Sequence, residues 1–115
     1  MKFTLKNAHQ FSWEGLKGWA YNSTEDFANA SAAYFEVTGR HGKVKTTHSD
    51  RIYFVIAGEG EFIVGDETVL VKESDVVIIP QNMPYDYKAK SKVLKLFLVH
   101  TPAYDRDCEV RLEPR

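Results

Sequence analysis

The sequence predicts an all-β fold, a β-sandwich or a β-barrel. About nine or ten short runs rich in β-branched and aromatic residues recur at intervals of roughly 8 to 12 residues. The runs end at turns that contain glycine or proline, such as Gly58-Glu59-Gly60 and Gly65-Asp66. No segment holds the helical apolar period beyond one turn. With 115 residues the chain is expected to form a single domain.

The N-terminal part is predicted to form an arm, 1–16, followed by strands. Phe11 and Trp13 are apolar anchors in this otherwise polar arm. Ser23 and Asp26 approximate a helix capping box, but no apolar period follows them, so that segment is interpreted as a loop. The extended runs predict strands at 3–5, 17–22 and 31–38.

The rest of the chain alternates extended runs with turns. Two prolines and Asn82 interrupt regular structure within 80–84, and Thr101-Pro102 ends the last long strand. The predicted strands are 43–47, 51–57, 61–64, 67–71, 76–79, 85–88 and 93–100. The barrel core is therefore placed at about 31–105, and 106–115 is predicted to be a polar, loosely attached tail.

The strand at 51–57 is the element on which the functional prediction depends. Side chains alternate across a strand, so Arg51, Tyr53 and Val55 share one face while Ile52, Phe54 and Ile56 share the other. Because neither face is uniformly polar, both need cover, one from a closed barrel or a second sheet and the other from a partner subunit or an extra strand. The sequence thus predicts a homodimer, with an interface reinforced by Phe3, Leu5, Phe11 and Trp13.

Composition argues against several classes of partner. Fifteen basic residues are balanced by sixteen acidic ones, without a basic run of the kind that binds nucleic acid. The N-terminus lacks the apolar core of a signal peptide, and no apolar run approaches the roughly 20 residues that span a bilayer. The single cysteine, Cys108, cannot form an internal disulfide. A cytoplasmic protein without membrane or nucleic-acid partners is expected.

Two stretches resemble the motifs of the cupin superfamily of small jelly-roll barrels. They read R-I-Y-F-V-I-A-G-E-G-E-F and E-S-D-V-V-I-I-P-Q-N-M-P-Y. The resemblance covers about 33–105 and implies a cupin-type double-stranded β-helix. Its second motif matches without a gap, placing Ser74 and Asn82 at the two motif glycines, Pro80 at the proline, Tyr85 at the histidine and Ala89 at the asparagine.

The resemblance also locates the family's metal shell, three imidazoles and a carboxylate, at positions that have diverged. Arg51 stands at the glutamate and Tyr85 at one histidine, while Thr46-x-His48 is the best fit to the His-x-His pair. A divalent ion about 4 Å from Arg51 would be repelled by on the order of 8 kcal/mol at an effective dielectric constant of about 20. We therefore predict no bound metal and no cofactor. His9, His41 and His100 are interpreted as surface or edge histidines.

The same geometry implies a small-molecule pocket at the barrel mouth, lined by Thr46, His48, Arg51, Tyr53, Tyr85 and Tyr87. Arg51 favours a carboxylate, a phosphate or a polarised carbonyl oxygen. His48 and Tyr85 are the candidate catalytic residues, because imidazole and phenol groups exchange protons. Thr46, Arg51, Tyr53 and Tyr87 are the candidate ligand-binding residues.

Each of these residues also has a structural interpretation. Arg51 plugs the barrel if it pairs with Asp50, Asp75 or Glu36. The tyrosines serve as core aromatics if only their hydroxyls reach the rim, and His48 is then a hydrogen-bonded strand residue. The sequence alone does not choose between these interpretations.

Three functions are consistent with this pattern. The first is a metal-independent pocket for an anionic or carbonyl compound, with acid/base turnover such as isomerisation, epimerisation or cyclisation. The second is a metal-dependent cupin oxygenase that uses His48. The third is a non-catalytic sensor or assembly module whose barrel is filled by its own side chains.

Overall fold

The computed structural model describes residues 1–113, which fold into two antiparallel β-sheets packed face to face. The strands of this part of the chain are β1 (His9–Trp13), β2 (Leu16–Ala20), β3 (Ser31–Val37), β4 (Val44–Thr46), β5 (Asp50–Ala57), β6 (Gly60–Val64), β7 (Glu67–Val71), β8 (Val76–Ile79), β9 (Tyr85–Ala89), β10 (Leu94–Thr101) and β11 (Glu109–Arg111). Single 3₁₀ turns occur at Leu5–Asn7 and Arg106–Cys108. The predicted all-β jelly-roll fold is confirmed.

The six-stranded sheet has the order β1-β2-β3-β10-β5-β8, and the five-stranded sheet has the order β11-β4-β9-β6-β7. Strands that are far apart in sequence therefore lie side by side, as β10 does between β3 and β5. This arrangement brings the C-terminal part of the chain against the centre of the barrel, where β5 lies.

The core lies between the two sheets. Along β5, burial alternates strictly, with Arg51, Tyr53 and Val55 buried and the residues between them exposed. β10 follows the same rule, because Leu94, Leu96 and Leu98 point inward. The apolar side chains left outside on β5 and β8 are Ile52, Phe54, Ile56, Val76 and Ile78, each between 37% and 63% exposed.

Two turn positions support the motif alignment. Ser74 and Asn82 are the non-glycine residues of 1–113 that have a positive φ, at 75° and 66°. Glycine adopts this left-handed conformation without steric cost, whereas a side chain disfavours it. The resemblance placed the two glycines of the second cupin motif at these same two residues.

The two ends of the chain differ from the sequence prediction. Residues 3–5 do not form a strand; the first strand is His9–Trp13, in which Phe11 packs edge-on against Phe35 at a ring distance of 5.8 Å. The C-terminal segment is not a loose tail, because Glu109–Arg111 pairs with β4. His9–Trp13 and Glu109–Arg111 thus each belong to one of the two sheets. None of the helical turns found within 1–113 has the length and hydropathy needed to cross a membrane.

Candidate functional site

A cavity of about 640 Å³ opens at one end of the barrel. Its inner wall comes from β3, β5 and β10 of the six-stranded sheet, and the N-terminal arm and the β11 segment form its rim. The chemically active side chains in the wall are His9, Asp26, His41, Arg51, His100, Tyr104, Arg106, Glu109 and Arg111. A space of this size accommodates a metabolite of one or two rings.

Arg51 forms the charged part of the inner wall and is only 2% exposed. It lies on the inward face of β5, and its guanidinium donates a hydrogen bond from Nη1 to the hydroxyl of Tyr85. The same guanidinium lies over the Tyr85 ring, 5.0 Å from the ring centroid. A fixed cation therefore lies inside the barrel, where the resemblance to the cupin motifs placed it.

Glu109 offsets the charge of Arg51. Its carboxylate Oε2 lies 3.9 Å from Arg51 Nη1, and its side chain is 14% exposed. Two unit charges about 4 Å apart attract each other by about 4 kcal/mol at an effective dielectric constant near 20. A ligand anion placed beside Arg51 would also meet this carboxylate, which weakens the attraction of the guanidinium for an anion.

Three tyrosines form a buried layer behind Arg51. Tyr53, Tyr85 and Tyr87 are at most 1% exposed, and the Tyr53 and Tyr85 hydroxyl oxygens are 3.4 Å apart. Burial raises the pKa of Tyr87 well above 10.0, and it raises the pKa of Tyr53 although the positive charge of Arg51 opposes this. Both phenols are therefore protonated at neutral pH, so each carries a hydrogen that it can donate in a hydrogen bond.

His41 packs against this tyrosine layer and is 2% exposed. Its ring stacks on Tyr87 at 4.6 Å and on Tyr85 at 5.6 Å, and it lines the cavity. His41 Nδ1 lies 2.7 Å from the carbonyl oxygen of Gly42. Because a carbonyl only accepts, Nδ1 must carry the hydrogen, and Nε2 is the basic nitrogen of the neutral ring.

Asp86 holds the loop that carries His41 through hydrogen bonds to its two neighbouring residues. The carboxylate of Asp86 accepts hydrogen bonds from the backbone N–H of Gly42 at 2.8 Å and from Arg40 Nε at 2.5 Å. The backbone N–H of His41 donates to the carbonyl oxygen of Tyr87 at 2.8 Å. Although His41 lies outside any strand, its backbone is thus anchored on both sides.

His100 lies near the C-terminal end of β10, and its side chain points into the barrel. It is the partner of Arg51 in the strand register and is 4% exposed. Burial, and secondarily the charge of Arg51, lowers the pKa of His100 well below 6.5. The ring is therefore neutral at physiological pH. It packs against Tyr104 at a ring distance of 5.1 Å and lines the cavity.

The structure brings together only part of the predicted site. Arg51 lines the cavity, and Tyr53, Tyr85 and Tyr87 lie directly behind it. Thr46 is buried, but its hydroxyl donates to the carbonyl oxygen of Ser49 at 2.8 Å, so that hydrogen is already used. The predicted inward orientation of His48 is wrong: a bend follows Thr46, and His48 is exposed outside the cavity.

The expected partners of Arg51 also need correction. Asp50 and Asp75 accept backbone hydrogen bonds from Gln81 and Lys72, and Glu36 accepts from Tyr34. None of them forms an ion pair with Arg51 within 1–113; Glu109 does. The charge is thus balanced by a residue that the sequence placed in a loose tail.

Three site residues were missed. His41 and His100 were interpreted as surface or edge histidines, yet both are buried in the cavity wall. His100 was recoverable, because it has the same strand parity as the inward Leu94, Leu96 and Leu98. His41 in a turn and Glu109 in a polar segment carry no comparable signal, since only the tertiary fold brings them to the barrel.

The side chains at the predicted metal positions do not fit a divalent ion. Arg51 presents a fixed positive charge there, and the hydroxyl of Tyr85 accepts a hydrogen bond from its guanidinium. His48 lies outside the cavity. Nowhere in the described part of the chain do three His, Cys, Asp or Glu side chains converge as metal ligands. What these side chains do offer is a basic histidine, a guanidinium and buried phenols around one cavity.

Comparison with known proteins places this site in context. A family model for the cupin domain matches residues 34–100. An uncharacterized protein of Aquifex aeolicus (strain VF5) is 31% identical over 64 residues, which are 56% of this chain and 53% of that protein. The chain therefore spans about half the length of this curated relative.

Solved structures agree on the fold. Pac13, described as a unique nucleoside dehydratase, superposes with a TM-score of 0.88 at 21% identity, covering 98% of this chain and 91% of that one. Oxalate decarboxylase from Bacillus subtilis gives 0.84 at 15% identity, covering 96% of this chain and 31% of that one. Three Streptomyces PAC13 variants with uridine, one histidine-to-glutamine and two tyrosine-to-phenylalanine, are each 20% identical to this chain.

Proposed function

This chain belongs to the cupin domain family, and from that membership and its cavity we propose that it is an acid/base enzyme acting on a neutral carbonyl compound that bears hydroxyl groups. The reaction class is removal of a proton next to the carbonyl, followed by loss of water or by reprotonation elsewhere. The first outcome is a dehydration and the second an isomerisation or epimerisation.

One observation carries this proposal. His41, a base whose Nδ1 is held by a backbone carbonyl, and Arg51, a buried cation, line the same cavity, and both contact the ring of Tyr85. Proton removal next to a carbonyl needs a base and a positive group that stabilises the enolate oxygen. Both are present, within reach of phenols that donate protons.

The roles follow from this arrangement. His41 Nε2 takes the proton from the carbon next to the carbonyl, and the released electron pair forms an enolate whose oxygen is stabilised by Arg51. In the dehydration, the enolate reforms the carbonyl as a carbon–carbon double bond appears and the β-hydroxyl leaves. A tyrosine hydroxyl protonates this leaving group, so that it departs as water. The products are an unsaturated carbonyl compound and water, and the imidazolium returns its proton to the tyrosine oxygen through solvent.

Two further observations support the substrate class. Glu109 beside Arg51 disfavours a fully charged ligand, which favours a carbonyl compound over the anion that the sequence left open. The structural relatives with uridine are variants of a histidine and of two tyrosines. The same residue types, as His41, Tyr53 and Tyr87, meet in this barrel at ring distances of 4.6 to 5.2 Å.

The test is turnover of a panel of β-hydroxy aldehydes and ketones, including sugar-derived ones. Absorbance of the conjugated product reports dehydration, and solvent deuterium at the α-carbon reports proton removal. We expect His41→Gln to reduce turnover at least 100-fold, whereas His48→Gln, at the exposed histidine, stays within about twofold. Full activity in His41→Gln, or loss of activity in His48→Gln, would favour His48, the histidine predicted from the sequence, as the base.

The rival functions are separated by other measurements. A metal-dependent oxygenase requires stoichiometric iron, manganese, nickel or zinc in protein grown with those metals, which elemental analysis detects. A sensor or assembly module with a filled barrel is disfavoured by the cavity of about 640 Å³. Binding without turnover across the whole panel would favour a sensor. The homodimer and the cytoplasmic location stay predictions.

A further inference from the structure

Two buried polar atoms in the cavity wall have no hydrogen-bond partner among the residues that the structure describes. They are Nε of Arg51 and Nε2 of His100. Buried polar groups in native proteins are nearly always paired, and an unpaired one is costly. Two of them side by side therefore indicate a group that the protein itself does not supply.

The strand register makes these atoms neighbours. Arg51 on β5 is the direct partner of His100 on β10, both side chains point into the barrel, and both residues line the cavity. Directly opposed residues in an antiparallel pair have Cβ atoms about 5 Å apart, so one small group can contact both side chains.

The chemistry of the two atoms selects the group. Arg51 Nε–H only donates, whereas a neutral imidazole nitrogen accepts or donates according to its tautomer. A hydroxyl group does both, so it satisfies this pair whichever tautomer His100 adopts. A carboxylate or phosphate accepts only, and it would also meet the carboxylate of Glu109, 3.9 Å from Arg51 Nη1. Burial keeps His100 neutral, so it adds no second positive charge to attract an anion.

We propose that Arg51 and His100 form a subsite for a neutral hydroxyl group on a sugar-like ring, with Arg51 Nε–H donating to the hydroxyl oxygen and His100 Nε2 accepting its hydrogen. This subsite rests on the proposed function and deepens it, because it names the part of the substrate that is recognised away from the reacting carbonyl. Arg51 then serves two ligand groups, the carbonyl through its terminal nitrogens and the hydroxyl through Nε.

The probes are uridine, 2′-deoxyuridine and 3′-deoxyuridine, with binding followed by calorimetry and by the imidazole ¹⁵N resonances of His100. The wild-type chain is expected to bind uridine at least tenfold more tightly than one of the deoxynucleosides, and uridine should shift the His100 resonances. His100→Phe keeps a planar ring but cannot hydrogen-bond, so it should lose this discrimination. His100→Gln places an amide near Nε2 and should recover part of it.

Other results would overturn the subsite. They are equal binding of the three probes by the wild-type chain, discrimination that survives in His100→Phe, or no perturbation of His100 by any probe. Because these measurements follow binding and not turnover, they separate from the proposed catalysis. A chain that discriminates hydroxyls but neither eliminates water nor exchanges the α-proton of any compound in the panel retains the subsite and refutes the reaction. Turnover without discrimination does the reverse.

Discussion

Arg51 and Tyr85 form a buried hydrogen-bonded pair at the two positions where the cupin motifs carry a glutamate and a histidine. The guanidinium donates to the phenol oxygen and lies over its ring, so the phenol hydrogen is directed elsewhere. Two metal-ligand positions are thus occupied by a cation and its hydrogen-bond acceptor. The positive charge at these positions is therefore that of the Arg51 side chain.

The first prediction separates a ligand-binding Arg51 from a structural one. Arg51→Met combined with Glu109→Gln removes both charges of the buried pair, and such a replacement is often neutral for stability. We expect the double variant to unfold within a few degrees of the wild-type chain but to bind uridine at least tenfold more weakly, as measured by thermal unfolding and calorimetry.

The single variant Arg51→Met is the control for charge balance. It leaves the Glu109 carboxylate without its guanidinium and should cost about 1 to 3 kcal/mol of unfolding free energy more than the double variant. If the double variant binds uridine normally, Arg51 is a structural plug and the ligand lies elsewhere.

The second prediction concerns Asp86 as a positioning residue for His41. Asp86→Ala leaves the buried N–H of Gly42 without its acceptor, which should lower the unfolding free energy by about 1 to 3 kcal/mol. Because the loop of His41 is then less well fixed, kcat should fall about tenfold or more with little change in KM. Steady-state kinetics on the substrate found in the panel measures this split.

Asp86→Asn is the matched variant, because its amide oxygen still accepts from one of the two N–H groups. It should recover most of kcat. Asp66→Ala, at an exposed turn, should change neither quantity. Equal losses in kcat for Asp86→Ala and Asp86→Asn would show that the negative charge matters rather than the position of the loop.

The strands were predictable from the sequence because their signal is local. β7 and β8 begin and end where alternation and turn residues place them, and β3, β5 and β10 are within one residue of prediction. The inward orientation of Arg51 was recoverable only from the motif, since both faces of β5 are apolar. The loop predicted at 23–30 is likewise a loop.

The rest of the site depends on pairings between distant segments, which single-strand patterns do not encode. Glu109 reaches Arg51 because β11 pairs with β4 across more than 60 residues of chain. The contacts of His41 require Asp86, some 45 residues later in the chain. His48 was misplaced because the bend after Thr46 breaks the alternation on which the prediction relied.

The third prediction is an acid-dependent loss of stability caused by His100. Burial lowers its folded pKa well below the 6.5 of an unfolded histidine, so the unfolded chain binds more protons in that window. Unfolding free energy therefore falls as pH drops below about 6.5 and until the folded pKa is reached, by at most about 1.4 kcal/mol per pH unit for this group.

Urea unfolding of the wild-type chain and of His100→Phe between pH 7.5 and about 5 measures this effect. The variant should lose stability less steeply on acidification, and the difference between the two curves should approach zero slope above about pH 7.5. The comparison requires that His100→Phe keeps the wild-type fold, which circular dichroism checks. Parallel curves would show that His100 is protonated equally in both states.

The fourth prediction tests the left-handed turn at Ser74. Its φ of 75° is costly for a residue with a side chain, so Ser74→Gly should raise the unfolding free energy by about 0.5 to 1 kcal/mol, or roughly 2 to 5 °C in Tm. Ser12→Gly, at an exposed residue in the extended backbone of β1, is the control. It should lower stability by a similar amount, since glycine weakens a strand. Two changes of the same sign would contradict the steric explanation.

The last prediction concerns assembly through the outer face of β5 and β8. Ile52, Phe54 and Ile56 are 37% to 40% exposed, and Val76 and Ile78 beside them are 56% and 63% exposed. Phe11 and Trp13, expected to help cover this face, instead pack on the protein's own Phe35 and His41, and we expect a second copy to cover it. Light scattering at micromolar concentration should therefore give about twice the 13.2 kDa of one chain.

Ile78→Glu should convert this dimer to a monomer. In a two-fold interface each substitution occurs twice, so two carboxylates would be desolvated near one another. Leu70→Glu is the matched control, because Leu70 is 69% exposed on β7 of the other sheet. It should leave the measured mass unchanged. A wild-type mass of 13.2 kDa would show that the chain is a monomer. A dimer that survives Ile78→Glu but not Leu70→Glu would place the contact on the sheet that contains β7.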